Sequence, residues 1–509
     1  MTTIESMQKP QSVSTEGRAE WTVLLGIAAA VTLIHIATNG RYGFHRDELQ
    51  FLSDARHLDW GYVSYPPFTP FIERISLGIF GLSLVGLRLF SVIAQAAAVI
   101  FTGLMARELG GGRLAQGTAA LAVALSPLPI FEATQFQYTS FAYLWWVLAA
   151  YFTIRLLKTG NPRWWLAIGA VLGLGLLTKY AVIFYIAGIL LGMAFSSSRK
   201  FLASKWFWAG VALALLIFLP NLIWLFHHDF ISYRFLQHIH TRDLGEGRAK
   251  GFLSYQFWVC ANLFAAPVWL IGLYSFARDR RYRMLAWMYV VPLLVFWIDK
   301  GRFYYLAEAY PILLAMGAVT CERWAARIPM WARRTVEAVF FAGMVTSGAY
   351  FFAGWVPLAS SGPLRNFALD HSEDLREEIG WPELVKTVAG IRDSLPAEQQ
   401  ASVGVLVGNY GEQGAIEMLG PAYHLPLPIS GTNSAWLRGY PVQPPSTLIV
   451  VGLPRLYVEN NLTSCRLAGH NGNSEGVKNE ESQYHPDIFI CAGPRKPWPE
   501  FWKDFQNFG

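Results

Sequence analysis

Two acids stand side by side in RYGFHRDELQF, residues 41–51, directly after a long apolar run. Asp47 and Glu48 read in two ways: as solvated loop acids that pair with Arg46, or as the reactive centre of an enzyme at a membrane edge. A carboxylate near low-dielectric surroundings has a perturbed proton affinity, which suits it to general-base chemistry. In SYPPFTPF, residues 64–71, the prolines impose extended backbone and end any helix before Phe71. Tyr65 and its neighbours there form either a rigid loop or one wall of a lipid or acceptor groove. Lys179 lies in GLGLLTKYAV, between two apolar segments, so its ammonium must snorkel to the interface or meet an anion. DKGRFYYLAEAYP, residues 299–311, supplies Lys300, Arg302 and the tyrosines Tyr304 and Tyr305. A guanidinium is a planar donor fork that matches phosphate. Lys179 and Arg302 together would hold a phosphate at the membrane surface, where a lipid-linked leaving group lies.

Other patterns carry less. His227, His228, His238 and His240, with Asp229 and Asp243 nearby, suggest a metal, and the HIH spacing suits one edge of a strand. No C-x-x-C or H-E-x-x-H pattern supports a site, so no metal or other cofactor is expected, a divalent ion being the weaker alternative. The glycines of GLGLL and ARELGGGR follow no strand and do not predict a nucleotide cradle.

The elements that must position these residues are membrane-spanning. Of 509 residues, 53% are hydrophobic and 15% charged, against about 25% charged in soluble domains. The apolar residues fall in blocks near the ~20 residues that cross a bilayer. A polytopic α-helical protein with about eleven spans is predicted, starting near Trp21, Leu87, Ala115, Ser140, Trp164, Ala181, Trp206, Phe257, Met284, Tyr310 and Val336. The first block lacks the features of a cleaved signal peptide. The net charge of +6 comes from short loops such as ARELGGGR, RLLKTGNPR, SSSRKFLASK, ARDRRYR and ERWAARIPMWARR, and is no nucleic-acid signal. The positive-inside rule then places the amino terminus and these loops in the cytoplasm. Outside lie a first loop at 39–86, a second near 227–256, and everything after about residue 356. The chain thus divides into a membrane part, 1–355, and a carboxy-terminal part, 356–509, expected to be a periplasmic α/β domain. In the latter, ASVGVLVG, STLIVVG and DIFICAG read as buried strands and WPELVKTVAGIRDSL as an amphipathic helix. Cys260 and Cys321 read as core residues, whereas Cys465 and Cys491 could pair in an oxidising compartment.

The stretches GFHRDELQFL, YPPFTP, LWWVLAAYFTIRLL, GLGLLTKYAVIF and KGRFYYLAEAYPILLA together resemble bacterial membrane glycosyltransferases of the dolichyl-phosphate-mannose-protein mannosyltransferase type, which are similar to the lipid A aminoarabinose transferases. GNYGEQGAI and PLPISGTNSAWL extend the resemblance into the tail. It implies the C-type glycosyltransferase fold and a polyprenyl-phosphate-linked sugar donor. It also implies that Asp47 is the catalytic acid of the first outer loop, with Glu48 its partner in the motif. Lys179 and Arg302 would contact the donor phosphate, with Tyr304 and Tyr65 beside the substrate. Relatives often carry an acid just before LWW; here SFAYLWW has Ala142, and Glu132 in FEATQFQYTS is the acid that the same short loop offers. The expectation is a bacterial inner-membrane transferase working on the periplasmic face, with a lipid, polysaccharide or protein acceptor. The competing reading, a transporter or lipid flippase, is disfavoured because the spans lack interior charges.

Overall fold

The computed structural model of the protein describes residues 18–509. The start of the amino terminus, which the charge pattern assigns to the cytoplasm, lies outside the described residues. Among the described residues, six helices are long and apolar enough to cross a membrane: Trp21–Thr38, Leu84–Glu108, Tyr138–Thr159, Lys205–His227, the continuous Phe303–Ala325, and Met330–Trp355. Two bent pairs, Val182–Ala194 with Ser197–Ala203 and Phe252–Trp258 with Leu263–Arg278, raise the number to as many as eight. Trp164–Leu176 and Arg283–Ile298 are apolar but shorter.

All the predicted spans overlap helices, but not all reach full length. The segment from Arg113 stops at Ala124, because Ser126 and Pro127 start a new short helix, Pro127–Glu132. Proline has no N–H to extend the first ladder. Twelve residues rise only about 18 Å, against ~30 Å of hydrocarbon. Close packing relies on small residues. Gly272 and Gly317 face each other across Ala266–Arg278 and Tyr310–Ala325, and a methyl on either would overlap the opposite backbone.

The loop expected on the outer face is itself helical, over Arg46–Arg56 and Phe68–Phe80. The prolines of SYPPFTPF therefore do not hold off a helix until Phe71. Pro67 is the cap of the second helix and Pro70 sits in its first turn, where a missing N–H costs nothing. The HIH stretch is likewise not a strand edge, since His238 and His240 lie on the helix Ile231–Gly245.

Beyond Trp355 the chain builds a five-stranded mixed sheet in the order Pro428–Ser430, Val403–Val407, Thr447–Val451, Asp487–Cys491 and Arg466–His470. The first three strands are parallel, and Asp487–Cys491 runs antiparallel to both of its neighbours. The helices Trp381–Asp393 and Tyr410–Leu419 cover one face, and Arg455–Asn461 and Trp498–Asp504 the other. A disulfide joins Cys465 to Cys491. Leu49 and Leu52 of the first-loop helix belong to the same core as Trp381, Val385, Ala415 and Ile416. A boundary at residue 355 is thus crossed by packing: the first loop and the sheet domain share one interior.

Candidate active site

The site begins with the helix Arg46–Arg56. His45 caps it: its Nδ1 accepts the Asp47 N–H at 3.2 Å, while the Glu48 carboxylate accepts the His45 N–H at 2.8 Å. This reciprocal arrangement satisfies two amides that a helix start leaves unpaired. It also fixes where the two adjacent acids point.

Glu48 points into the protein and is fully buried. Its Oε1 accepts from Arg88 Nε and Phe136 N, both at 2.8 Å, and its Oε2 accepts from Arg88 Nη2 at 2.8 Å. Arg88, equally buried, also donates to Asn39 O, Gly43 O and Glu378 Oε1. Glu48, expected as a second acid beside Asp47, is thus placed in the interior, where both of its oxygens accept from donors of the protein.

Asp47 points the other way, into a cavity of about 330 Å³ lined by Glu132, Gln137, Tyr138, Arg302, Tyr304 and Asp374, with Phe131, Phe303 and Trp355 as aromatic walls. Its side chain is 34% exposed. Gln137 Nε2 donates to Asp47 Oδ2 at 2.9 Å. Burial would raise the proton affinity of this carboxyl, but His45, the Gln137 amide, Arg46 and the Tyr410 hydroxyl outweigh it and hold the group below the ordinary carboxylate range. Asp47 is therefore ionised at neutral pH and directed at open volume, the state a proton acceptor needs.

Across the cavity, Arg302 is held by Asp243, with Nε to Oδ2 at 2.5 Å and Nη2 to Oδ1 at 2.7 Å. Its Nη1 donates to the Tyr304 hydroxyl at 2.9 Å. Lys179 does not line the cavity. Its Nζ is 3.0 Å from Glu308 Oε1, 5.0 Å from the Tyr305 ring centre and 5.8 Å from that of Tyr138, which is on the wall. Lys179 and Arg302 are thus brought to the same end of the bundle, each held by its own acid. Tyr65 is buried beneath the first-loop helix, where its hydroxyl donates to Asp54 and its ring packs on Phe51. It supports the wall and does not form it. Glu132 does reach the cavity. Burial pushes its carboxyl up to about 7, and its Oε2 has no partner.

Several site groups carried no clear signal in the sequence. Gln137 and Tyr138 lie in the FEATQFQYTS loop, but nothing marked them above their neighbours. Glu308 lies in the DKGRFYYLAEAYP stretch, where nothing marked it beside Lys300 and Arg302. Asp374 comes from the far domain, and its Oδ1 lies 3.6 Å from His45 Nε2. Because Nδ1 of His45 accepts a backbone N–H, the neutral ring carries its proton on Nε2, facing Asp374.

The family described as dolichyl-phosphate-mannose-protein mannosyltransferase matches residues 64–224, a stretch that holds Tyr65, Glu132 and Lys179 but not Asp47 or Arg302. The lipid A galacturonosyltransferase RgtD of Rhizobium johnstonii is 28% identical over 256 residues, 48% of this chain and 53% of that protein. The undecaprenyl phosphate-alpha-4-amino-4-deoxy-L-arabinose arabinosyl transferase 1 of Pseudomonas fluorescens is 26% identical over 286 residues, 52% of this chain and 51% of that protein. The chain spans about half the length of these relatives. Among solved structures, ArnT from Cupriavidus metallidurans in the apo state superposes with a TM-score of 0.56 at 14% identity, covering 92% of this chain and 97% of that one. The same protein bound to undecaprenyl phosphate gives 0.57 at 14% identity, with coverages of 93% and 98%. The C-type fold expected from the motifs is the fold of these neighbours, and the chain is related to the membrane glycosyltransferases it resembles.

Proposed function

We propose that this protein transfers a sugar from a polyprenyl-phosphate donor to an acceptor hydroxyl in the cavity beside Asp47. One observation carries the reading: an ionised carboxylate with a depressed proton affinity faces, across an open aromatic-walled volume, a guanidinium fork already oriented by Asp243. Asp47 takes the proton of the acceptor hydroxyl as that oxygen attacks the anomeric carbon. The bond from the anomeric carbon to the phosphate oxygen breaks, and the electron pair leaves with the phosphate. Arg302 and Lys179 meet the charge that develops there. Because Asp243 and Glu308 hold these cations in place beforehand, little reorganisation accompanies the reaction. Glu132, titrating near neutrality, binds a sugar hydroxyl from the loop where relatives carry their second acid.

The relatives' names support the two substrates: one contains undecaprenyl phosphate, and both belong to sugar transferases, one of them acting on lipid A. A polyprenyl-phosphate donor and a lipid acceptor are the corresponding proposal for this chain. About eleven crossings, counting the short apolar helices that do not span the hydrocarbon by themselves, with the basic loops in the cytoplasm and both the cavity and residues 356–509 in the periplasm of a bacterial inner membrane, complete the reading. The Cys465–Cys491 disulfide suits an oxidising compartment. The test is single-turnover transfer from a radiolabelled polyprenyl-phosphate sugar by the purified full chain. Sugar transfer that Asp47→Asn abolishes is expected. Lipid translocation without sugar transfer would overturn the assignment in favour of a flippase.

A further inference from the structure

At the end of the bundle away from Asp47, a second cavity of about 540 Å³ is lined by three arginines, Arg199, Arg280 and Arg283, together with Ser196, Ser197 and Phe195. Its distance from the active site follows from the helices. Val182–Ala194 begins just after Lys179 and ends at this cavity, while Arg283–Ile298 begins here and ends just before Arg302. Sixteen helical residues span about 24 Å.

Elsewhere at this end basic side chains are paired: Arg155 and Lys158 both bond to Glu108, at 2.9 and 3.0 Å. Around the second cavity, among the described residues, none of the three arginines forms an ion pair. The nearest acid in the chain, Asp279, is turned to the Arg281 and Tyr282 amides. The helix that starts at Arg283 adds its own positive end. It has no acid in its first turn and no side-chain cap, so its amides and three guanidiniums share one unneutralised corner. Ser196 Oγ accepts the Ser198 N–H, which leaves its own hydrogen free to donate. Beside the cavity the chain turns by 105° from the span into Ser197–Ala203. The rim is apolar, with Phe195 63% exposed and packed on Trp287, and Leu191 exposed next to it.

We infer that this corner binds the phosphate of an anionic membrane lipid, with guanidiniums and a serine hydroxyl on the headgroup and Phe195 and Leu191 along its acyl chains. Basic pockets between helices at a bilayer edge suit such headgroups. The inference does not depend on the transfer reaction proposed above. A soluble phosphate would satisfy the same arginines, but the apolar rim favours a lipid.

The test uses the full chain in detergent micelles, doped with phosphatidylglycerol, with phosphatidylcholine, or with millimolar inorganic phosphate. Native mass spectrometry counts retained lipid and a melting curve follows stability. Wild type should keep phosphatidylglycerol in preference to phosphatidylcholine and melt several degrees higher with it. Retention should fall about fivefold for each arginine removed in Arg280→Gln and in the double variant R199Q/R280Q, while Arg280→Lys should keep most of it. Equal retention of both lipids by wild type would overturn the inference, a comparison that needs no variant to fold. Undiminished retention in the double variant would do the same. Stabilisation by inorganic phosphate equal to that by phosphatidylglycerol would show a soluble anion site in place of a lipid one.

Discussion

Asp47 and Glu48 are covalent neighbours in opposite environments. One helical residue turns the side chain by about 100°, which here separates an open cavity from a closed interior. On the cavity face, Asp47 accepts from the Gln137 amide and has free volume in front of it. On the inner face, Glu48 is bound by Arg88, which in turn ties the first loop to the bundle and, through Glu378, to the carboxy-terminal domain. In the proposed mechanism, adjacency in sequence therefore signals a division of labour: one acid reacts and the other fixes the position from which it reacts. The pair acts together only in the sense that Glu48 caps the turn that aims Asp47.

That division predicts different failures for isosteric changes. Asp47→Asn removes the proton acceptor and keeps the shape. Turnover should fall by roughly 10²–10⁴-fold, the usual cost of losing a general base, with an unchanged melting temperature. Wild-type rates in this variant would end the mechanism. Glu48→Gln should do the reverse. It leaves the buried Arg88 guanidinium short of a counter-charge, and breaking one side of a buried ion pair costs about 3–5 kcal/mol. The melting temperature and yield should drop sharply, while each molecule that remains folded should retain substantial activity. Equal stability of the two variants would erase the distinction between the faces.

Lys179 tests whether the phosphate end resembles the cavity face or the buried face, because it pairs with a buried acid yet is assigned chemistry. Lys179→Ala should lower turnover by about 10²–10³-fold, as for loss of one contact to developing charge, but it also strands Glu308. The double variant K179M/E308Q removes both charges. It should recover the fold and not the rate. Recovery of the rate would assign Lys179 a purely structural role.

How much of this was legible in the sequence depends on the range of the interaction. The apolar segments and the strands within ASVGVLVG, STLIVVG and DIFICAG were readable, because burial acts on each stretch by itself. The helix over Arg46–Arg56 was hidden, since its cap is His45 and not one of the usual Ser, Thr, Asp or Asn residues. The histidines at 238 and 240 misled because a two-residue spacing suits a strand, while their neighbours chose a helix. Asp47 stood out by position alone. The partners that define the roles, Arg88 for Glu48, Glu308 for Lys179 and Asp243 for Arg302, lie 40, 129 and 59 residues away. No local pattern encodes such pairings.

The buried side of the comparison can be sharpened once more, with the smallest expected effect, through pH. Where the first-loop helix meets the carboxy-terminal domain, Arg46 is surrounded by Glu377, Glu412, Glu480 and Glu481. Burial first, and then the Glu481 charge, push the Glu412 carboxyl up to about 8 from its ordinary 4.5. The folded protein therefore holds a proton that the unfolded chain releases above pH 4.5. The stability this group contributes is fully present below that pH, erodes as pH rises, and is gone once pH passes about 8. Glutamine mimics the protonated acid, and its oxygen still accepts the Gly408 and Asn409 amides that bond Glu412 now. Glu412→Gln should match wild type near pH 6 and exceed it at pH 9 by about 3 kcal/mol, the linkage accumulated between pH 6 and the folded value near 8. Melting curves of the full chain between pH 6 and 9 should diverge toward the alkaline end. Asp47, whose affinity is shifted down, predicts the opposite sign for catalysis: turnover is sustained at alkaline pH and lost only in acid. If the wild-type and Glu412→Gln melting curves run parallel across that range, Glu412 is already ionised in the folded protein, and Arg46 alone balances the interface.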